Sequence, residues 1–171
     1  MSKGRKSVFM KQLSLLLLFA FAPGFFFCAC REESRTEIPF VAYVDIPPGL
    51  GTILTYNFEL KGIRGTSISN IIDAQPVAIR ITAEVGELNM NMIRRAILNI
   101  ESDSTMLELG YVEEAPQNNS STLDIFPSIA EVSPYIMADR FDMLLKLGFR
   151  YPTAEPTTLR IDFLVSATLS D

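Results

Sequence analysis

Apolar and polar residues alternate with a period of two through most of the chain beyond residue 39. This alternation is typical of β-strands that bury one face and expose the other. It recurs in eight segments separated by turn residues: 40–46, 54–60, 77–85, 95–101, 107–112, 122–126, 142–149 and 159–168. Because no helical segment is long enough to connect parallel strands, the pattern predicts an all-β fold of antiparallel strands.

The economical arrangement for half-buried strands of this number is two layers of about four strands each, so we predict a two-sheet β-sandwich. An open barrel with a ligand-binding lumen gives the same alternation and remains an alternative. One or two short helices are predicted between the strands. One covers Thr66–Ala74 and is ended by Pro76. The other covers Pro134–Asp139, with Ser133 as its N-cap.

The N-terminal region has the features of an export signal. Its first charged residues are all basic: Lys3, Arg5, Lys6 and Lys11. Leu13–Phe27 is apolar except for Ser14 and contains a Pro23-Gly24 break. A basic start, a short apolar run and small residues at its end are typical of a secretory signal peptide. A membrane-spanning helix needs roughly 20 apolar residues, so this shorter, broken run favours export over permanent spanning.

Cys28 and Cys30, the two cysteines of the chain, directly follow the apolar run. Phe27-Cys28-Ala29-Cys30 resembles a bacterial lipobox, whose cysteine receives a diacylglycerol thioether and becomes the new N-terminus. Ala29 meets the small-residue requirement before Cys30, whereas Phe27 is too large to precede Cys28. We therefore predict lipidation at Cys30. A Cys28–Cys30 disulfide would close a strained ring, and a zinc site usually needs about four ligands, whereas the chain has no histidine.

Cleavage before Cys30 would divide the chain into three parts. Residues 1–29 form the predicted lipoprotein signal peptide, residues 30–38 a lipidated flexible tether, and residues 39–171 the β-sandwich domain. Acyl chains of the palmitate type would hold the protein at a membrane, since each buried methylene contributes about 0.8 kcal/mol.

The charge of the remaining chain restricts its partners. The 142 residues from Cys30 onward contain 20 acidic and 11 basic residues, a net charge of −9. This length is sufficient for one domain with its own core. Nucleic acid is excluded as an expected partner, because its recognition requires cationic patches.

Residues that would carry catalysis are scarce. The chain lacks histidine, the usual general base near neutral pH, and its cysteines are assigned to anchoring. Adjacent carboxylates such as Glu113-Glu114 point apart on a strand or loop, so they do not form an acid–base pair by spacing. We predict no catalytic residue, no cofactor and no metal site. Tyrosine side chains are candidates for a binding surface: Tyr43, Tyr56, Tyr111, Tyr135 and Tyr151.

Three stretches resemble a known group of proteins: DIPPGLGTILTYNFELKGI (45–63), LELGYVEE (107–114) and LLKLGFRYPTAEPTTLRIDFLVSATL (144–169). They are similar to small uncharacterised Bacteroidota lipoproteins, which share an Ile-Pro-x-Gly-Leu stretch before a Thr-aromatic strand. A late strand pair joined by a Phe-Arg, Pro-rich turn is also similar. The resemblance implies a β-sandwich in the cell envelope.

Two further short matches accompany this resemblance. In these bacteria, acidic residues behind the lipidated cysteine resemble a signal for the outer face of the outer membrane, and Arg31-Glu32-Glu33 occupies that position. Asp103-Ser104-Thr105 resembles their O-glycosylation motif, with Ser104 as acceptor.

Together these observations predict a lipid-anchored binding protein of the bacterial outer membrane, exposed on the extracellular face. The expected partners are the membrane, through the lipid, and a protein or glycan at the cell envelope. The alternative is a structural accessory subunit of an envelope complex that faces the periplasm. An enzyme is not expected.

Overall fold

The computed structural model describes residues 34–49, 52–66, 68, 70–86, 89–102 and 105–170. This part of the chain forms eight strands, a 3-10 turn and one short helix. They are β1 Ser34–Ile46, β2 Ile53–Lys61, β3 Ile71–Val85, the 3-10 turn Met90–Met92, β4 Ile93–Ser102, β5 Thr105–Val112, β6 Thr122–Pro127, helix α1 Ser133–Ile136, β7 Arg140–Phe149 and β8 Thr157–Leu169. Each strand overlaps one of the alternating segments, so the all-β, antiparallel prediction is confirmed.

The eight strands form one nearly closed, barrel-like sheet in the order β1-β8-β3-β6-β5-β4-β7-β2. We call β1-β8-β3-β6 the first half and β5-β4-β7-β2 the second half. The halves are joined where β5 meets β6, through the pairs Gly110–Pro127 and Tyr111–Phe126. Because of this short link, the eight strands form a single sheet, whereas the sequence predicts two sheets.

One hydrophobic core lies between the inner faces of the two halves. Val44 and Ile81 of the first half and Leu98 and Leu145 of the second half are fully buried in the same cluster. The last two strands complete the halves, because β8 lies between β1 and β3 and β7 lies between β2 and β4. Side chains on these central strands contact neighbours on both sides. Buried and half-buried positions alternate along β8 as far as Ala167, whereas β7 has three consecutive buried residues, Met143–Leu145.

Register shifts change which side chains reach the core. The pairing of β3 with β8 shifts between Pro76 and Ala78, and Val77 is exposed although the alternation places it with Ile79. An extra residue in one strand bends the ladder and reverses the face of the residues beyond it. Strict alternation therefore fails locally wherever such a bulge occurs.

The predicted helix over Thr66–Ala74 is wrong, because the described residues 66, 68 and 70 are not helical and residues 71–74 belong to a strand. β3 begins at Ile71, which pairs with Leu169 of β8. Asn70, just before the strand, has a φ of 65°, a conformation that favours a turn over a right-handed helix. Pairing with β8 therefore overrides the local helical pattern.

The second predicted helix is present but begins differently. Val132, not Ser133, occupies the N-cap position of α1 and provides no side-chain cap. The Glu131 carboxylate instead accepts the N–H of Ser133 at 2.8 Å and the N–H of Ala74 at 3.2 Å. The Glu131 side chain thus accepts hydrogen bonds from a backbone N–H at the start of α1 and from a backbone N–H of β3.

The domain begins earlier than the sequence indicates. Residues Ser34–Ile38, predicted as part of the flexible tether, belong to β1 and pair with residues 165–169 of β8. Ile38 is buried in the core. Residues 1–33, with the predicted signal peptide and Cys30, lie outside the described residues. In the described part of the chain, no helix is long and apolar enough to cross a membrane.

Candidate binding groove

The outer face of the second half is cationic at one end and acidic further along, and the acidic row is followed by Lys61 paired with Arg140. Paired residues of β2, β7 and β4 form four rows across this face. The first two rows contain cations and the fourth contains only carboxylates. In order, the rows are Ile53–Gly148–Arg95, Thr55–Lys146–Ile97, Asn57–Leu144–Asn99 and Glu59–Asp142–Glu101. The end formed by the first two rows, which contain Arg95 and Lys146, is our candidate site.

A bulge in β4 brings two arginines to the cationic end. Ile93 pairs with Phe149 and Arg95 with Gly148, which leaves Arg94 as the extra residue. In a regular strand, consecutive side chains point to opposite faces, so one arginine would face the core. With the bulge, both are exposed, while Ile93 is buried. Bulges commonly redirect side chains beside functional sites.

A groove of about 540 Å³ lies between these cations. Six of its lining residues define what we call the basic groove: Ile53, Arg94, Arg95, Lys146, Gly148 and Tyr151. Gly148 forms part of the floor on β7, where a Cβ would stand 3.4 Å from the Cβ of Arg95. Gly148 deepens the groove because it has no side chain. The backbone conformation at this position does not itself require glycine.

Positive charge is concentrated here in an otherwise acidic chain. From Ser34 onward the sequence has ten lysines and arginines and 18 acidic residues. Four of those ten cations, namely Arg94, Arg95, Lys146 and Arg150, line this one groove. Such a cluster produces a local positive potential that the net charge of the protein does not indicate.

The exposed arginines of the groove are only loosely paired. Arg94 lies 3.7 Å from Glu114, and Arg95 lies 3.5 Å from Glu113. All four side chains are largely exposed, and exposed pairs of this kind contribute about 0–1 kcal/mol. An anionic ligand therefore competes with these glutamates at little cost in free energy.

Lys146 is the least satisfied cation of the groove. Its Nζ lies 3.9 Å from the Sδ of Met106, a weak acceptor. Within the described part of the chain, no carboxylate lies within ion-pair distance of this ammonium group. The sequence alone suggests a solvated lysine on the polar face of β7, and its position beside Arg95 emerges from strand pairing.

Arg150 has a structural role at the end of the groove. Its side chain is 13% exposed, and its Nη1 donates to the carbonyl oxygens of Asn91 at 3.1 Å and Ile93 at 2.5 Å. Its Nη2 donates to the carbonyl of Ala115 at 2.9 Å and to the Glu114 carboxylate at 3.2 Å. The guanidinium therefore fixes three segments around the groove and has little capacity left for a ligand.

The first half of the sheet shows the opposite arrangement. Arg80 donates to Asp124 at 2.6 Å, and this hydrogen bond and charge raise the pKa of Arg80. Arg160 donates to Asp162 at 2.8 Å, which, with Glu84, raises the pKa of Arg160. These arginines are engaged by short internal contacts, whereas those of the basic groove are available.

Aromatic side chains adjoin the groove on the same outer face. Tyr151 lines it directly and is 67% exposed. Ile97 of the second row pairs with Tyr111 on β5, which in turn pairs with Phe126 on β6. Leu109 is an extra residue in β5, and this bulge turns Tyr111 outward although the alternation groups it with the buried Leu109.

The other predicted site residues lie apart from the groove or outside the described residues. Tyr43 is exposed on β1, while Tyr56 and Tyr135 are half-buried, so the five tyrosines do not form one surface. Cys30 and Ser104 lie outside the described residues. Among the residues that are described, no group of three or more Asp, Glu, Cys or His side chains is arranged to hold a metal ion.

Comparison with known proteins provides no relative. The sequence matches no protein-family model and no curated protein. A solved structure that aligns with the chain is the P-domain of Macrobrachium rosenbergii nodavirus, with 10% sequence identity and a TM-score of 0.32. The alignment covers 78% of this chain and 93% of the viral domain. At this level of similarity it supports no conclusion on fold or function.

Proposed function

We propose that the protein is a lipid-anchored binding protein of the bacterial outer membrane, exposed on the extracellular face, that captures an anionic ligand in the basic groove. The observation that carries the binding role is the concentration of loosely paired cations in one groove of an acidic chain. Guanidinium and ammonium groups bind carboxylates and phosphates through charge-assisted hydrogen bonds. The ligand is bound without chemical change.

The anchor in this proposal rests on the N-terminal sequence. The basic start, the apolar run and Ala29 before Cys30 are the features that support lipidation at Cys30. Arg31-Glu32-Glu33 supports the extracellular face through its resemblance to an export signal. A domain that begins at Ser34 would then be held close to the membrane by only a few residues.

We also propose that the two halves behave as the layers of a β-sandwich. Two residue pairs join β5 to β6, whereas nine pairs join β2 to β7. Hydrogen exchange should therefore show faster exchange of the amides at the β5–β6 link than in β7. Equal protection at both places would favour a continuous barrel.

Protease treatment of intact cells tests the proposed location. An antibody against the domain should lose its signal while a periplasmic control protein remains intact. Lysed cells provide the control for protease sensitivity of the domain itself. A domain that is cleaved in lysed cells but fully protected in intact cells contradicts exposure at the surface.

The second candidate is an accessory subunit that faces the periplasm, and one feature of β2 favours it. β2 is an end strand whose inward side chains are only half-buried: Leu54, Tyr56, Phe58 and Leu60. An end strand with apolar side chains is a site at which another protein adds a strand. Chemical crosslinking in cells should then recover one partner in constant stoichiometry from protease-protected protein.

A further inference from the structure

We propose that the basic groove binds acidic glycans, specifically short oligosaccharides that contain uronic acids. This inference rests on the proposed binding function and adds the chemical class of the ligand. It depends on three features of the groove: a floor on strand β7, which is paired on both sides, diagonally placed cations and adjacent aromatic rings.

The floor of the groove offers no backbone groups to a ligand. Gly148 and Lys146 lie on β7, whose amides and carbonyls are engaged with β2 and β4 on either side. An extended peptide gains most of its affinity by pairing its main chain with a free strand edge. A ligand in this groove is instead recognised by side chains, which suits a molecule whose polar groups all lie on its periphery, as in a sugar.

The cations are placed to receive more than one carboxylate. Lys146 pairs with Ile97, and Arg95 pairs with Gly148, so the two cations stand diagonally on adjacent strands. Diagonal positions of this kind are about 7–8 Å apart at the backbone. Arg94 adds a third cation beside Arg95. Successive acidic sugars would therefore meet separate cations, and arginine binds a carboxylate with two parallel hydrogen bonds.

Aromatic rings next to the cations provide the second element of sugar recognition. The negative face of an aromatic ring attracts the partially positive C–H groups on one face of a pyranose. Tyr151 presents such a ring in the groove, and Tyr111 presents another beside Ile97. A ligand with charge alone would make no use of these rings.

The acidic row further along the same face limits the length and charge of the ligand. Glu59, Asp142 and Glu101 lie four residues along their strands from the row that contains Lys146, a distance of about 13 Å. Glu59 forms an ion pair with Arg140, whose row with Lys61 follows. A long, densely charged polyanion would therefore be repelled by Asp142 and Glu101. The groove therefore favours short chains with one charge per sugar over nucleic acids or heavily sulfated polymers.

Calorimetric titration of the full processed protein, purified from membranes in detergent, tests this assignment. The probes are tri-galacturonic acid, its fully methyl-esterified form, a penta-glutamate peptide and inorganic phosphate. We expect tri-galacturonic acid to bind, and the ester, which retains the sugar rings but has lost the charges, to bind at least tenfold more weakly. We expect penta-glutamate and phosphate to bind at least tenfold more weakly as well.

Variants identify the groove as the binding site. Arg95→Gln and Lys146→Gln should each weaken the binding of tri-galacturonic acid at least tenfold, and Tyr151→Ala should weaken this binding severalfold. Arg64→Gln is the matched control, because Arg64 is an exposed arginine outside the groove whose partner, Asp139, is 3.6 Å away. The Arg64→Gln variant should change the affinity for tri-galacturonic acid by less than twofold. Unchanged circular dichroism would show that each variant is folded.

The outcomes separate the ligand class from the proposed function. Equal binding of penta-glutamate and tri-galacturonic acid overturns the glycan assignment and retains an anion-binding groove. Binding that Arg95→Gln and Lys146→Gln leave unchanged overturns the groove as the site. Absence of binding to every probe overturns the inference, while surface exposure is decided independently by protease treatment of cells.

Discussion

The ring of Phe40 on β1 meets the ring of Phe141 on β7 edge to face, with centroids 5.4 Å apart and an interplanar angle of 84°. The two strands belong to different halves of the sheet, so this contact crosses the core. Phe40 also stacks on Phe163 of β8, at 5.7 Å. Aromatic pairs in these geometries contribute about 0.5–1.5 kcal/mol beyond the burial of their area. Phe40 is thus a centre of contact between the halves.

Replacing Phe40 by alanine should lower the free energy of unfolding by about 3–5 kcal/mol, because a large cavity would open between the two halves. Urea denaturation followed by circular dichroism measures this change. Val41→Ala, on the outer face of the same strand, is the control and should cost less than about 1 kcal/mol. Similar losses for both variants would mean that the halves do not depend on this contact.

Two glycines should respond in opposite ways to alanine. A Cβ at Gly110 would stand 2.6 Å from the carbonyl oxygen of Phe126 and 2.7 Å from Cδ1 of Ile79, so it would force apart the link between the halves. Gly110→Ala should cost about 1–3 kcal/mol. Gly148→Ala places its Cβ at an ordinary contact distance and should be neutral or stabilising by about 0.5 kcal/mol. Thermal unfolding of both variants makes the comparison, and a neutral Gly110→Ala would contradict the close packing at the link.

The guanidinium of Arg150 should not be replaceable by another cation. Arg150→Lys retains the charge but loses the planar fork that reaches Asn91, Ile93 and Ala115 together. We expect a loss of about 2–3 kcal/mol, since hydrogen bonds to charged groups contribute about 1.5–3 kcal/mol each and partial replacement is expected. Arg94→Lys, the same change at an exposed position nearby, should stay within about 0.5 kcal/mol. Chemical denaturation measures both, and equal effects would argue against a fixing role for Arg150.

Fatty-acid labelling should depend on Cys30 alone. Cells grown with an alkyne fatty acid should label the protein and its Cys28→Ala variant, whereas Cys30→Ala should abolish the label. The thioether requires the cysteine sulfur, so alanine at the modified position leaves no attachment site. Labelling that survives Cys30→Ala but not Cys28→Ala would move the cleavage site by two residues.

The fold class is predictable from the sequence because strand periodicity is a local property. In β8, Leu159, Ile161 and Phe163 alternate with polar residues in the chain and are buried in the structure. The alternation shows which face of a strand is buried, and it can be recognised in one strand without knowledge of the neighbouring strands. All eight strands were recognisable for this reason.

The site was not recognisable, because it depends on register. Nothing in Ile93-Arg94-Arg95 signals a bulge, and the alternation of β5 places Tyr111 on the buried side. A bulge forms when the pairing partner on the next strand requires an extra residue, and that partner lies far away in the sequence. The helix predicted over Thr66–Ala74 is wrong for the same reason, since the start of β3, Ile71–Ala74, pairs with the distant β8.

By itself, the sequence determined the strands, the acidic character of the domain and the features that suggest a lipid anchor at Cys30, since all three are encoded in neighbouring residues. Only the tertiary structure decided that the strands join into one sheet and that Arg94, Arg95 and Lys146 meet in a groove. Lys146 is about 50 residues from the two arginines along the chain, and antiparallel pairing of β7 with β4 alone brings them together.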